Sequence, residues 1–256
     1  MTLFYVPNIV SGNVLPEEES LHAVKVLRLT IGDKIGVVDG IGSYHIAKIT
    51  VPHHKHCGFE IVESQYDYGK RNYKLHIAIA PTKNIERLEW FIEKATEIGI
   101  DEITPIVCRY SERKNIKEER LEKIIVSASK QSVKAFFPKL NPLCTFDEFL
   151  VKFNASQKFI AHCYTSPLPS PEESETTKNE FNINNQNSIF NRILLKDEIS
   201  KSANILILIG PEGDFSLEEV EKAISMNYLP ISLGESRLRT ETAGVVACTT
   251  VAIVNQ

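Results

Sequence analysis

The run Ile205-Leu206-Ile207-Leu208-Ile209 limits the fold more than any other stretch. Five consecutive apolar residues leave no polar side, so a strand there must be covered on both faces, as in parallel sheets flanked by helices. Gly210-Pro211-Glu212-Gly213 breaks the run at once. Ser216, with Glu219 three residues on, then reads as a capping box that opens a helix over 217–227. A glycine turn at the carboxyl end of a buried parallel strand is where open α/β sheets bind ligands. Ile231-Ser232-Leu233-Gly234 repeats the arrangement. The loop after it carries Arg237, Arg239, Thr240 and Glu241 into a last helix around 241–254, in which Ala243, Gly244, Ala247, Cys248 and Ala252 are small enough for very close packing.

The same texture begins at Lys74. Apolar runs at Leu75–Ala80, Ile103–Cys108 and Phe159–Cys163 alternate with helical patterns at Ile85–Ile98 and Lys117–Lys134. Trp90 and Phe91 on the first of these helices are expected in the core. This is the signature of an α/β domain with a mostly parallel sheet. Residues 1–63 read differently. Phe4–Pro7, Lys34–Asp39, Tyr44–Val51 and Phe59–Val62 are short strand patterns broken by turns, with a helical turn over Glu17–Val26, and together they suggest a small barrel. Residues 64–73 fit a linker. Residues 165–191 are rich in Pro, Ser, Glu and Asn and are expected to form a flexible insertion without chemistry of its own.

Several function classes are disfavoured. Neither glycine turn matches the phosphate loop G-x-x-x-x-G-K-[ST], and Gly40-Ile41-Gly42 does not continue into a dinucleotide fingerprint. No apolar run is long enough to span a bilayer, and Met1–Tyr5 has no basic signal region, so a cytoplasmic location is expected. The five cysteines are scattered without a C-x-x-C pair, which suits reduced thiols. His53-His54-Lys55-His56-Cys57 crowds its side chains into one turn without the paired spacing of zinc sites, so no metal is expected. Net charge is −4, yet Arg109 to Lys139 holds nine Lys and Arg against four Glu. That local patch suits phosphate, although a solvated helix face would look the same.

The stretches IEKATEIGI (92–100), KQSVKAFFP (130–138), ILIGPEGDFS (207–216) and LGESRLRTETA (233–243) resemble the RsmE family, the ribosomal RNA uridine-N3 methyltransferases of the SPOUT superfamily. Residues 24–49 resemble that family's PUA-like RNA-binding barrel. The resemblance implies an N-terminal PUA-like β-barrel over 1–70 and a C-terminal SPOUT α/β domain over 71–256, with a parallel sheet and a deep trefoil knot. It also implies a homodimer, S-adenosylmethionine bent into the knot, and small-subunit (16S) ribosomal RNA or the assembled small subunit as partner. Asp214 stands where many members have a second glycine, Arg237 where many have an apolar residue, and the insertion is long.

The resemblance places cofactor contacts at Ala161, His162, Ile209, Gly210, Pro211, Glu212, Gly213, Leu233, Gly234, Ser236, Leu238, Arg239 and Thr240. Methyl transfer to uracil N3 needs an aligned acceptor that loses a weakly acidic proton. Arg239 would supply a cation to the anionic ring, and Glu212 or Glu241 would take the proton or orient a partner. Lys25, Arg28, Arg109, Arg113, Gln131 and Lys134 are the RNA-contact candidates. Two rivals stand beside this reading. One is a ribose 2′-O methyltransferase, kept in view by Asn84 and Arg87. The other is an RNA-binding protein that keeps the fold without turnover.

Overall fold

The computed structural model describes residues 1–9, 12–164 and 191–256. The insertion over 165–191 therefore lies outside the described residues except for Asn191. The chain divides into two compact units, Met1–Arg71 with Glu119–Pro138, and Asn72–Glu118 with Lys139–Gln256.

The first unit is built on a sheet of β1 (Leu3–Tyr5), β2 (Lys34–Val38), β3 (Tyr44–Val51) and β4 (Gly58–Gln65), in that order. β1 runs parallel to β2, and the other pairs are antiparallel. His45, Ala47 and Ile49 of β3 are buried while their neighbours are partly exposed, the period of two that a one-sided core requires. Ala47 and Ile49 join Phe4, Leu15, Ile35, Val37 and Phe59 in one cluster. β4 runs on to Gln65, so the linker expected from residue 64 is shorter: the Ser64 hydroxyl meets His45 Nδ1 at 2.8 Å and holds the strand end in place. The early helix is α1 (Glu17–Leu21), which widens into a π turn over His22–Val26.

The expected division at residue 70 is altered by one segment. α2 (Ile85–Ile98) belongs to the second unit, but most of α3 (Glu118–Gln131) and the chain after it pack with the first. Gly42 N–H donates to the Ala135 carbonyl (3.0 Å), Phe137 N–H to the Gly40 carbonyl (2.9 Å), and Lys130 pairs with Glu19. Gly42 has φ 117°, and a Cβ there would stand 2.3 Å from the Phe136 ring, so glycine is what lets the segment dock.

The second unit is an eight-stranded parallel sheet. Its strands are β5 (Lys74–Ile79), β6 (Glu102–Val107), β7 (Lys139–Leu140), β8 (Cys144–Thr145), β9 (Gln157–Ala161), β10 (Ile193–Leu194), β11 (Asn204–Ile209) and β12 (Leu229–Ser232). The order is β10-β12-β9-β11-β5-β6-β7, with β8 also on β6. All residues of β11 from Ile205 to Ile209 are buried, as the apolar run requires. One face packs Ala78, Leu206 and Leu208 against α4 (Phe146–Lys152) and α6 (Leu217–Ser225), through Phe149 and Val220, with Phe215 from the loop before α6. α5 (Leu195–Glu198) is a single turn. On the opposite face, α7 (Thr240–Val254) lies against α2, with Gly244 set beside Phe91 and Ile79. Phe91 is fully buried, but Trp90 is 44% exposed, contrary to expectation: it sits one residue round the helix from the buried stripe Leu88, Phe91, Ile92 and Ala95.

Among the described residues no helix is long and apolar enough to cross a membrane. Nor does any group of three or more His, Cys, Asp or Glu gather as metal ligands there. In the 53–57 turn the His53 and His56 rings stack at 3.7 Å.

Candidate functional site

Strands β12, β9 and β11 are neighbours, all parallel, so the loops leaving their carboxyl ends emerge side by side. These loops enclose a cavity of about 320 Å³. Its wall is apolar at Ile209, Ile231, Leu233, Leu238 and Ala243, with Gly210 and Gly234 offering backbone, and Glu212, Asp214, Arg192, Arg237 and Arg239 supplying charge. A volume at the lower end of small-molecule sites, apolar walls and a few polar groups are what a cofactor-sized ligand needs.

Local chemistry sets each loop. Ser216 accepts the Glu219 N–H (3.3 Å) while Glu219 accepts the Ser216 N–H (2.8 Å), the capping box that starts α6. The second Glu219 oxygen takes the Arg109 N–H (2.9 Å), fixing the loop after β6. Gly210 is tightly packed, since a Cβ would lie 3.1 Å from Phe215 N and its ring. Thr240 Oγ1 donates to the Gly210 carbonyl (3.0 Å), tying the first turn of α7 to the glycine loop. Gly234 takes φ 131° and is held by the Ser232 hydroxyl.

Of the thirteen expected cofactor positions, all line this cavity but Gly213, which packs instead on Tyr110, with only 3.0 Å between its Cβ position and the Tyr110 Cβ. Glu212 and Arg239 line it too. Glu212 Oε1 accepts the Lys83 N–H (2.9 Å). Glu241 does not line the cavity. It is buried in the first turn of α7, with Oε1 3.8 Å from Arg87 Nε. Asn84 is occupied as the N-cap of α2, accepting the Glu86 N–H. Burial pushes the His162 imidazole down to about 4, outweighing the opposing pull of Asp214, so the ring is neutral at pH 7.

Cys163, Arg192, Asp214, Ile231, Ser232, Arg237 and Ala243 also line the cavity and were not among the expected contacts. Ile231 and Ser232 were findable as the end of a strand preceding a glycine turn. Arg192 carried no signal, because it follows a polar stretch with no periodicity.

The RNA-contact candidates divide between the units. Lys25 and Arg28 are exposed at the end of the π turn, Gln131 is exposed and Lys134 half-buried at the end of α3, and all four belong to the first unit. Arg109 is exposed, 3.5 Å from Glu218. Arg113 is committed to the backbone: its guanidinium donates to the carbonyls of Thr82 (3.0 Å) and Lys83 (2.7 Å). Arg113→Ala is therefore expected to cost about 1.5–3 kcal/mol of stability, the scale of hydrogen bonds from a charged donor. Chemical denaturation measures it, and an unchanged midpoint would free Arg113 for another role.

The RNA methyltransferase domain model matches residues 69–252, and the RNA methyltransferase PUA domain model matches 15–62. The chain is 28% identical to the ribosomal RNA small subunit methyltransferase E of Rickettsia conorii, over 91% of this chain and 86% of that protein. A crystal structure from Porphyromonas gingivalis, titled a "probable rRNA-methyltransferase", superposes with a TM-score of 0.84 at 38% identity, covering all of this chain and 98% of that one. A Legionella pneumophila structure, titled a "putative methyltransferase" in complex with the bound cofactor SAM, superposes with a TM-score of 0.77 at 25% identity, covering 100% of this chain and 98% of that one.

Proposed function

The chain belongs to the RNA methyltransferase family, with the PUA domain of such enzymes at its N-terminal end, and from that premise we propose that it methylates N3 of a specific uridine in 16S ribosomal RNA. The observation that carries the reading is the cavity at the ends of β9, β11 and β12, which holds all but one of the expected cofactor positions. S-adenosylmethionine is the cofactor, and the cavity suits it: apolar walls at Ile209, Leu233 and Leu238 for a flat base, and carboxylates at Glu212 and Asp214 near a cationic end. It supplies an electrophilic methyl group on a sulfonium.

The chain's own residues do the rest. The three loops hold the acceptor ring in line and exclude water from it. Arg239, on the cavity wall, stabilises the negative charge that develops on the uracil as its N3 proton leaves. Glu212, also on the wall, would receive that proton, whereas Glu241, buried in the first turn of α7, acts as a structural anion near Arg87. Lys25, Arg28, Gln131 and Lys134 in the first unit contact the RNA backbone, and Arg109 in the second unit contacts it separately. The deep trefoil knot of the SPOUT fold would account for the small-residue helix α7. A cytoplasmic homodimer fits the exposure of Trp90 on α2 and Ile253 on α7, apolar side chains that a second copy would cover.

The test is chemical. Deleting the gene and digesting small-subunit ribosomal RNA to nucleosides is expected to remove 3-methyluridine, with recovery on complementation. Persistence of 3-methyluridine in the deletion strain would overturn the assignment.

A further inference from the structure

One peptide group in the cavity wall is gripped from both ends. Arg192 Nη1 donates to the His162 carbonyl at 2.6 Å, and Asp214 Oδ2 accepts the Cys163 N–H at 2.7 Å. The His162 carbonyl and the Cys163 N–H belong to the same peptide unit, the second past the end of β9. A cation on its oxygen and an anion on its N–H both align with the peptide dipole, and both bonds are charge-assisted. The two side chains come from different segments: Asp214 from the glycine loop after β11, Arg192 from the residues entering β10.

The backbone at Asp214 argues that its carboxylate has a task. Asp214 sits at φ 67°, a left-handed conformation that glycine adopts freely and other residues avoid. Its second oxygen caps the Phe215 N–H (2.8 Å), and its own N–H donates to the Pro211 carbonyl (2.9 Å). Tyr164 completes the junction, its hydroxyl donating to the Phe215 carbonyl (2.8 Å) and its N–H to His162 Nδ1 (3.2 Å). His162, Cys163, Arg192 and Asp214 all line the cavity.

We infer that Asp214 and Arg192 are paired positioning residues of the cofactor site, which hold the His162–Cys163 peptide between them and thereby fix the wall that S-adenosylmethionine meets. The inference rests on reading this cavity as the cofactor site. It makes the two residues energetically dependent, since the peptide's orientation is fixed only when both ends are held.

Calorimetric titration of S-adenosylmethionine into the full chain tests it, with thermal melts and steady-state kinetics alongside. Asp214→Ala and Arg192→Ala are each expected to raise Kd about tenfold, the scale of one charge-assisted hydrogen bond. The double variant is expected to be no weaker than the worse single one. KM for the cofactor should rise by more than kcat falls. Asp214→Gly separates positioning from folding, because it relieves the left-handed backbone: its melting temperature should hold or rise while Kd rises as in Asp214→Ala. Asp214→Asn keeps an oxygen for the Cys163 N–H and should recover part of the affinity. Wild-type Kd in Asp214→Gly and Arg192→Ala, or a multiplicative loss of about a hundredfold in the double variant, would overturn the inference. A wild-type chain that binds no S-adenosylmethionine would remove the cofactor reading, and the pairing with it.

Discussion

Arg239→Ala should lower methyl transfer at saturating cofactor by about 100- to 1000-fold while leaving the fold close to wild type. The magnitude is that of removing one preorganised electrostatic group aimed at developing charge. The separation from folding follows from how Arg239 is held. It is the N-cap of α7, with extended backbone (φ −72°, ψ 157°), and its side chain makes no capping hydrogen bond. What the helix start uses is the Arg239 carbonyl, which accepts the Ala243 N–H at 2.7 Å, and the neighbouring Thr240 hydroxyl on the Gly210 carbonyl. Alanine keeps both. Arg239→Lys keeps the charge but loses the planar fork, so partial recovery is expected. Single-turnover methylation of small-subunit RNA at saturating cofactor is the measurement. Turnover equal to wild type would remove Arg239 from the chemistry and shift the burden to Glu212 or to RNA positioning alone.

The parts of this site legible in the sequence are those where backbone and periodicity carry the information. The apolar run 205–209 and the glycine turns at 210 and 234 announce buried strands ending in open backbone, and the capping box at Ser216 and Glu219 sets the start of α6. Three loops then converge because β12, β9 and β11 are neighbours, a fact of strand order that no local pattern states. The short pieces β7, β8, β10 and α5, of two to four residues each, have too few positions to show a period. Trp90 is exposed for a related reason: at 100° per residue it falls on the side of Phe91 away from Leu88, Ile92 and Ala95, and so outside the buried stripe. The home of 119–138 was hidden because its docking depends on Gly42, distant in sequence, leaving room for Phe136. Arg192 and Arg113 show the limit most plainly. Their partners are main-chain carbonyls, and a carbonyl has no identity in a sequence.

Gly244 in the middle of α7 should tolerate no side chain, although helix propensity argues the other way. An alanine in a helix interior is favoured over glycine by about 1 kcal/mol. Against this, a Cβ at 244 would stand 2.5 and 2.6 Å from the Phe91 ring and 3.2 Å from Ile79 Cδ1. Phe91 is fully buried between α2 and the sheet, so its ring has nowhere to retreat, and overpacking of this kind costs about 1–3 kcal/mol. The clash is expected to win: Gly244→Ala should be destabilised by about 1 kcal/mol and Gly244→Val by about 3 kcal/mol or more. The cofactor site should suffer with it. Pushing α7 away from α2 displaces the first turn, where Thr240 is bonded to Gly210 and Ala243 forms cavity wall. Denaturant titration and cofactor titration of the same variants would show the two losses together. Phe91→Leu, which removes the ring edge facing residue 244, should be destabilising alone yet offset part of the cost of Gly244→Ala, a coupling that residues in direct contact produce. A Gly244→Ala chain more stable than wild type would mean that helix propensity outweighs the contact, and that α7 is not pinned to α2 at this point.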